Sequence, residues 1–154
     1  MTLTLTSPAF ADGERIPDKY ARDGENLFPP IRWTGAPDGV QSYMLIVEDP
    51  DAPGGVFRHC AIFNIPKEAN GLPQSVDTAP DWPSLKYAQN DFGNAGYDGP
   101  QPPKGHGVHH YHFRLAALDV PKLDLPPQAG VDRLWQEAKK HALAEAELVG
   151  TYER

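Results

Sequence analysis

The chain has 154 residues, 40% hydrophobic and 23% charged, and its 21 acidic against 14 basic side chains give a formal net charge of −7. That length predicts one domain over residues 1–154 with a well-formed core, and that sign of charge excludes nucleic acid as a partner unless a local basic patch exists, which the sequence does not contain. The 17 prolines and 14 glycines interrupt regular structure and predict short strands joined by many shaped turns.

Residues Thr2 to Thr6 alternate threonine and leucine, the pattern of a strand with Leu3 and Leu5 on one face. This N-terminal stretch lacks the basic start and apolar run of a signal peptide, and no stretch of the chain reaches the length of a membrane span, so the expectation is a cytoplasmic protein. Ser7 to Pro30 reads as polar turns. After a turn signal at Ala36 to Gly39, the run Ser42 to Val47 (SYMLIV) reads as a buried strand that ends at Glu48, Asp49 and Pro50. A second apolar run, His59 to Ile65, follows the Pro53, Gly54, Gly55 turn and is expected to pair near the first. It holds Cys60, the one cysteine, so no intramolecular disulfide forms and nothing calls for an oxidising compartment.

Pro66 to Pro103 reads as one long loop, a length often associated with function. In His109 to Asp119 the odd positions His109, Tyr111, Phe113, Leu115 and Ala117 form an inward face, which sends His110, His112 and Arg114 the other way. The spacing of Val131, Leu134, Trp135 and Ala138 predicts a short amphipathic helix. The alanines of the tail favour helix by propensity, but Ala142, Ala144, Ala146, Leu148, Gly150 and Tyr152 alternate strictly with their neighbours and predict a final strand.

Three places carry candidate chemistry. Asp49 and Asp51 set two carboxylates two residues apart at a strand exit, where they can serve as acid and base, bind metal, or accept hydrogen bonds from imidazoles; the plain alternative is a turn whose aspartates cap backbone donors. His59 shares its alternation face with Ala61, Phe63 and Ile65. A histidine on an apolar face is usually a satisfied core residue, but carboxylates within reach would raise its pKa and make it an anion donor. In Pro102 to Val108 (PPKGHGV), Gly105 and Gly107 let backbone N–H groups approach a ligand, although the spacing matches no dinucleotide or nucleotide-phosphate fingerprint.

The segments SPAF (Ser7 to Phe10), DGEN (Asp23 to Asn26), DPDAPG (Asp49 to Gly54), NDFG (Asn90 to Gly93), the GHGVHHY loop and the stretch Ala146 to Arg154 together resemble the phosphatidylethanolamine-binding protein family, in its short bacterial and archaeal branch, often labelled Raf-kinase-inhibitor-like. The resemblance implies a mainly β fold, an antiparallel Greek-key sheet or sandwich with one or two short peripheral helices. It also implies a pocket for phosphate-bearing anions lined by Asp49, Asp51, His59, Pro103, Gly105, His109 and Tyr111. Three positions depart from the family pattern: His110 replaces a usual arginine, Gln101 a frequent cysteine, and Cys60 a common aromatic.

These readings predict a non-enzymatic binding or regulatory module with no cofactor. Its expected partners are a small phosphate-bearing anion and, through the resemblance, a kinase or serine protease, with a homodimer as a further assembly. The competing expectation is a metal-dependent hydrolase built on His106, His109, His110 and His112.

Overall fold

In the computed structural model, which describes residues 2–77 and 82–154, the chain forms strands β1 (Thr4–Thr6), β2 (Ile31–Thr34), β3 (Ser42–Asp49), β4 (Phe57–Pro66), β5 (Gly71–Leu72), β6 (Lys86–Tyr87) and β7 (His109–Leu118), followed by helix α1 (Val131–Lys139) and strand β8 (Ala142–Tyr152). Two sheets result. The larger has the order β6-β4-β3-β7-β8 and the smaller β1-β2-β5, and every neighbouring pair is antiparallel. Taken as β7-β3-β4-β6, the large sheet has its fourth strand returning beside its first, which is the Greek-key order.

The apolar run from Ser42 forms the central strand because both faces of the large sheet are covered, so seven of the eight residues of β3 are buried. On one face Leu45, Val47, Phe113 and Leu115 meet Leu5, Ile31 and Trp33 of the small sheet, with Leu3 just before it. On the other face Met44, Ile46, Ala61, Phe63, Ala116 and Leu118 pack under Val131, Leu134, Trp135 and Ala138, the apolar stripe of α1. Two single 3-10 turns, Asp18–Tyr20 and Pro127–Ala129, lie outside the sheets.

The odd residues of β7 are buried as alternation expects, and His110 is exposed. From Ala116 onward the even positions are buried too, because α1 covers them. The alanine-rich tail pairs with β7 from Ala142 to Tyr152, so alternation prevails over helix propensity. Strand β2 went unpredicted because only IRWT separates Pro30 from Gly35, too short a run to show a period. The expected loop from Pro66 to Pro103 contains two-residue strands, β5 and β6, and residues 78–81 within it lie outside the described residues.

Candidate functional site

Asp49 is the last residue of β3 and is buried. Its Oδ1 accepts the Asp51 N–H at 2.8 Å, a local turn that carries the chain out of the sheet. Its Oδ2 lies 2.7 Å from Nδ1 of His109, the first residue of β7. A carboxylate accepts, so His109 Nδ1 bears the hydrogen and any further proton on this ring goes to Nε2. Tyr111 stands beside the same carboxylate; burial first, then Asp49, push its pKa far up, so the phenol keeps its proton.

His59 reaches this group through a flaw in the ladder. Val47 pairs with Cys60 but Glu48 pairs with Arg58, which leaves His59 as the extra residue of a β-bulge. Strict alternation would keep His59 on the face of Ala61 and Phe63, which lies under α1. The bulge turns it to the opposite face, where its ring sits edge-on to Tyr111 at 5.3 Å and against Phe57 and Phe92. The expected partners Ala61 and Phe63 are therefore corrected, while Ile65 still shares the face of His59. A second irregularity around Asn64, at φ 59°, sends Ile65 to the face between the sheets. Cys60, expected to face away from His59, lies on that same side in the core between the sheets, with burial raising its thiol pKa.

The carboxylate expected to charge His59 is also replaced. His59 Nδ1 lies 2.7 Å from the backbone carbonyl of Asp98, so Nδ1 carries the hydrogen. Desolvation lowers the ring pKa, outweighing the carbonyl and the nearby Asp49, Asp98 and Asp91, and the ring is held neutral. Its Nε2 makes no hydrogen bond among the described residues. Asp98 is itself fixed by Asn26 at 2.9 Å, Asn90 at 2.9 Å and Asn94 at 2.7 Å. Burial works to raise its pKa, and those amides with Arg22 outweigh it, so the net shift is downward.

These groups wall a cavity of about 180 Å³, with Asp49, His59, Gln101, His109 and Tyr111 as its polar lining and Ala52, Pro53, Phe57, Phe92, Pro102 and Pro103 as its apolar lining. Of the seven residues expected at the site, five converge here. Asp51 turns outward and takes the His110 N–H and Nδ1, both at 2.8 Å. Burial acts to raise its pKa, but the contacts with His110 prevail and the shift is downward. Gly105 stands outside the lining, and its N–H donates to the Arg154 carbonyl at 3.1 Å instead of facing a ligand. Phe57 lies one alternation step before His59 and was readable from the strand pattern, whereas Phe92 sits in a loop with no periodic signal.

Of the four histidines of the hydrolase expectation, only His106 and His109 stay together, with ring nitrogens 2.6 Å apart. His109 faces the cavity, His110 pairs with Asp51, and His112 lies 3.2 Å from Glu147 on the opposite face. Among the described residues no group of three or more His, Cys, Asp or Glu is arranged to hold a metal ion.

A model of the phosphatidylethanolamine-binding protein family matches residues 6–153. A UPF0098 protein of Methanothermobacter thermautotrophicus is 46% identical over 155 residues, covering 99% of each chain. A putative lipoprotein, LppC, of Mycobacterium tuberculosis is 40% identical over 153 residues, 98% of this chain and 72% of that one. Among solved structures, E. coli YBCL, described as a new member of the mammalian PEBP family, superposes with a TM-score of 0.94 at 30% identity, covering 100% of this chain and 99% of the other. Carboxypeptidase Y inhibitor, solved in complex with its cognate proteinase, shares the fold at a TM-score of 0.57 and 17% identity, covering 99% of this chain and 83% of that one. With the match spanning nearly the whole chain and the mainly β, antiparallel fold agreeing with the expectation, the chain belongs to the phosphatidylethanolamine-binding protein family, in its bacterial and archaeal branch.

Proposed function

We propose that this chain is a binding protein whose cavity takes a small phosphate-bearing anion, a phosphomonoester or a phospho-headgroup, held by His59 and His109 with Asp49 and Tyr111 in support. The observation that carries this reading is the state of His59. The ring is buried, its Nδ1 hydrogen is committed to the Asp98 carbonyl, and its Nε2, on the cavity wall, has no partner among the described residues. A phosphate monoanion suits that nitrogen, since it supplies both a proton and the negative charge that stabilises the resulting imidazolium. Each such charge-assisted hydrogen bond is worth on the order of 1.5–3 kcal/mol before desolvation is subtracted. The apolar walls of Pro53, Phe57, Phe92 and Pro102 suit the organic part of an ester.

Binding is then coupled to proton uptake. Burial keeps His59 neutral in the empty cavity, and an anion raises its pKa, so affinity increases as pH falls from 8 to 6. Calorimetric titration with phenyl phosphate and with inorganic phosphate is the test. The wild type binds more tightly at pH 6 than at pH 8, and His59→Gln weakens binding about tenfold or more and reduces the pH dependence. Equal affinity in the two proteins, or steady hydrolysis of the ester, overturns the reading.

A regulatory role belongs to the same reading. The carboxypeptidase Y inhibitor lends the fold a precedent for contact with a proteinase, which supports a serine protease as protein partner here, while a kinase is carried by the family resemblance alone; inhibition assays with purified enzymes of both kinds test it. Cytoplasmic residence is proposed on the free, buried Cys60 thiol. Among the described residues no helix is long and apolar enough to cross a membrane. Cell fractionation decides between the cytoplasm and the surface location that the name of the mycobacterial relative suggests.

A further inference from the structure

His109 has a second partner that the binding reading leaves unused. Its Nε2 lies 2.6 Å from Nδ1 of His106, with the ring centroids 4.9 Å apart. Two ring nitrogens this close are bonded only while one proton lies between them; a proton on each drives the rings apart. Because Nδ1 of His109 is fixed on Asp49, Nε2 is the one nitrogen this ring can offer an anion. An anion and His106 cannot hold it together.

The segment carrying His106 is built to let its side chain leave. Gly105 at φ 76° and Gly107 at φ 92° flank it in the left-handed region, and a Cβ placed on either would have nothing within 4 Å, so there is open space on both sides of His106. His106 is exposed, and Val108 is half exposed. The backbone anchors are the Gly105 N–H on the Arg154 carbonyl, the His106 N–H on the Pro103 carbonyl at 3.1 Å within the same turn, and His109 in register with Tyr152 of β8, so it is the His106 side chain that is free to leave.

We propose that His106 is a tethered plug on His109, occupying Nε2 in the empty protein and swinging out on its two glycines when an anion and a second proton arrive. The plug rests on the reading that the cavity takes an anion. Its apparent effect is to lower affinity at high pH, since part of the binding energy goes to displacing His106. The charged and titratable groups around the pair are few. Asp49 holds His109 from β3, while Tyr111 of β7 and His59 of β4 share the cavity wall with it. Tyr152 lies beside it on β8, Lys104 is exposed on the loop itself, and Arg154 at the loop anchor is paired with Asp23. His110 and Asp51 pair with each other, away from the cavity.

Nuclear magnetic resonance of the imidazole nitrogens and the loop amides, from pH 8 to pH 5, tests this with and without inorganic phosphate. Without phosphate, the Gly105, Gly107 and Val108 amides move in step with the second protonation of the His106 and His109 pair, and His106→Ala removes that step. With phosphate at pH 7, His106→Ala binds about three- to tenfold more tightly than the wild type. Equal or weaker binding by the variant, or loop amides that stay fixed while the rings titrate, overturns the plug. A pH-driven loop movement in a protein that takes no phosphate upholds the proton-driven release of His106 from His109 and overturns the anion reading on which its role as a plug rests. Phosphate binding that His59→Gln abolishes, with the loop amides fixed throughout, does the reverse.

Discussion

Asp49 and Asp51 stand two positions apart in one short motif, yet burial gives them different work. Asp49 is 3% exposed and meets a backbone N–H and an imidazole N–H, so its charge is stabilised by two donors with little access to water. Asp51 makes its two hydrogen bonds to His110 at the surface, where solvent competes for both. Replacing Asp49 by Asn puts an amide against the His109 N–H and is expected to lower stability by about 1.5–3 kcal/mol. Asp51→Asn is expected to lower it by less than about 1 kcal/mol. Urea midpoints of the two variants check this, and similar losses would mean that the carboxylates are equivalent. The sequence made this motif visible but treated the pair alike, because spacing along a chain says nothing of which oxygen meets water. His109 and Tyr111 were readable in orientation as well as identity, since β7 is regular over its first residues.

Strand β4 marks where that legibility ends. The sequence identifies His59 and the strand it begins, but the inserted residue at the Val47/Glu48 step reverses the side on which it emerges. A bulge is a property of two strands in register, and β4 alone carries no sign of it. Strand β8 is the opposite case. Its alternation was long enough to outweigh eleven residues of mixed propensity, and Gly150 on it is readable only in three dimensions. A Cβ there would lie 2.5 Å from Ile16 Cγ1, 2.8 Å from Ile16 Cδ1 and 2.9 Å from Phe10 Cε2. Gly→Ala in extended backbone normally stabilises by about 0.4–1 kcal/mol through the unfolded chain. Here the overlap prevails, because Ile16 is fully buried and has no space to yield. Gly150→Ala is expected to destabilise by about 1–3 kcal/mol net. A raised melting temperature would show instead that Ile16 has room to move.

At the scale of the whole molecule, the buried imidazole sets how the fold meets acid. His59 is kept neutral in the folded protein, so as pH falls the unfolded chain takes the proton first, near its ordinary value of about 6.5. The folded state is therefore fully favoured above that pH and loses stability below it, until its own lower pKa is passed. The limiting slope for one proton is about 1.4 kcal/mol per pH unit. Asp98 adds a second loss further down. Its folded pKa is lowered by its amide partners, so its contribution is present above about 3.9 and disappears as pH falls through the folded value. Protonating the six histidines also reduces the net charge of −7 and its self-repulsion, which acts in the opposite sense. Comparing wild type with His59→Gln largely cancels that background. Urea unfolding at pH 7.5, 6.5 and 5.5 is expected to show the wild type losing more stability than the variant over this range. Phosphate at pH 6 should restore the loss in the wild type alone, because it binds the protonated ring that the unfolded chain otherwise favours. Parallel curves for the two proteins would mean that His59 titrates alike in both states, and the nitrogen assigned to the ligand would then lack the buried, neutral character on which its role depends.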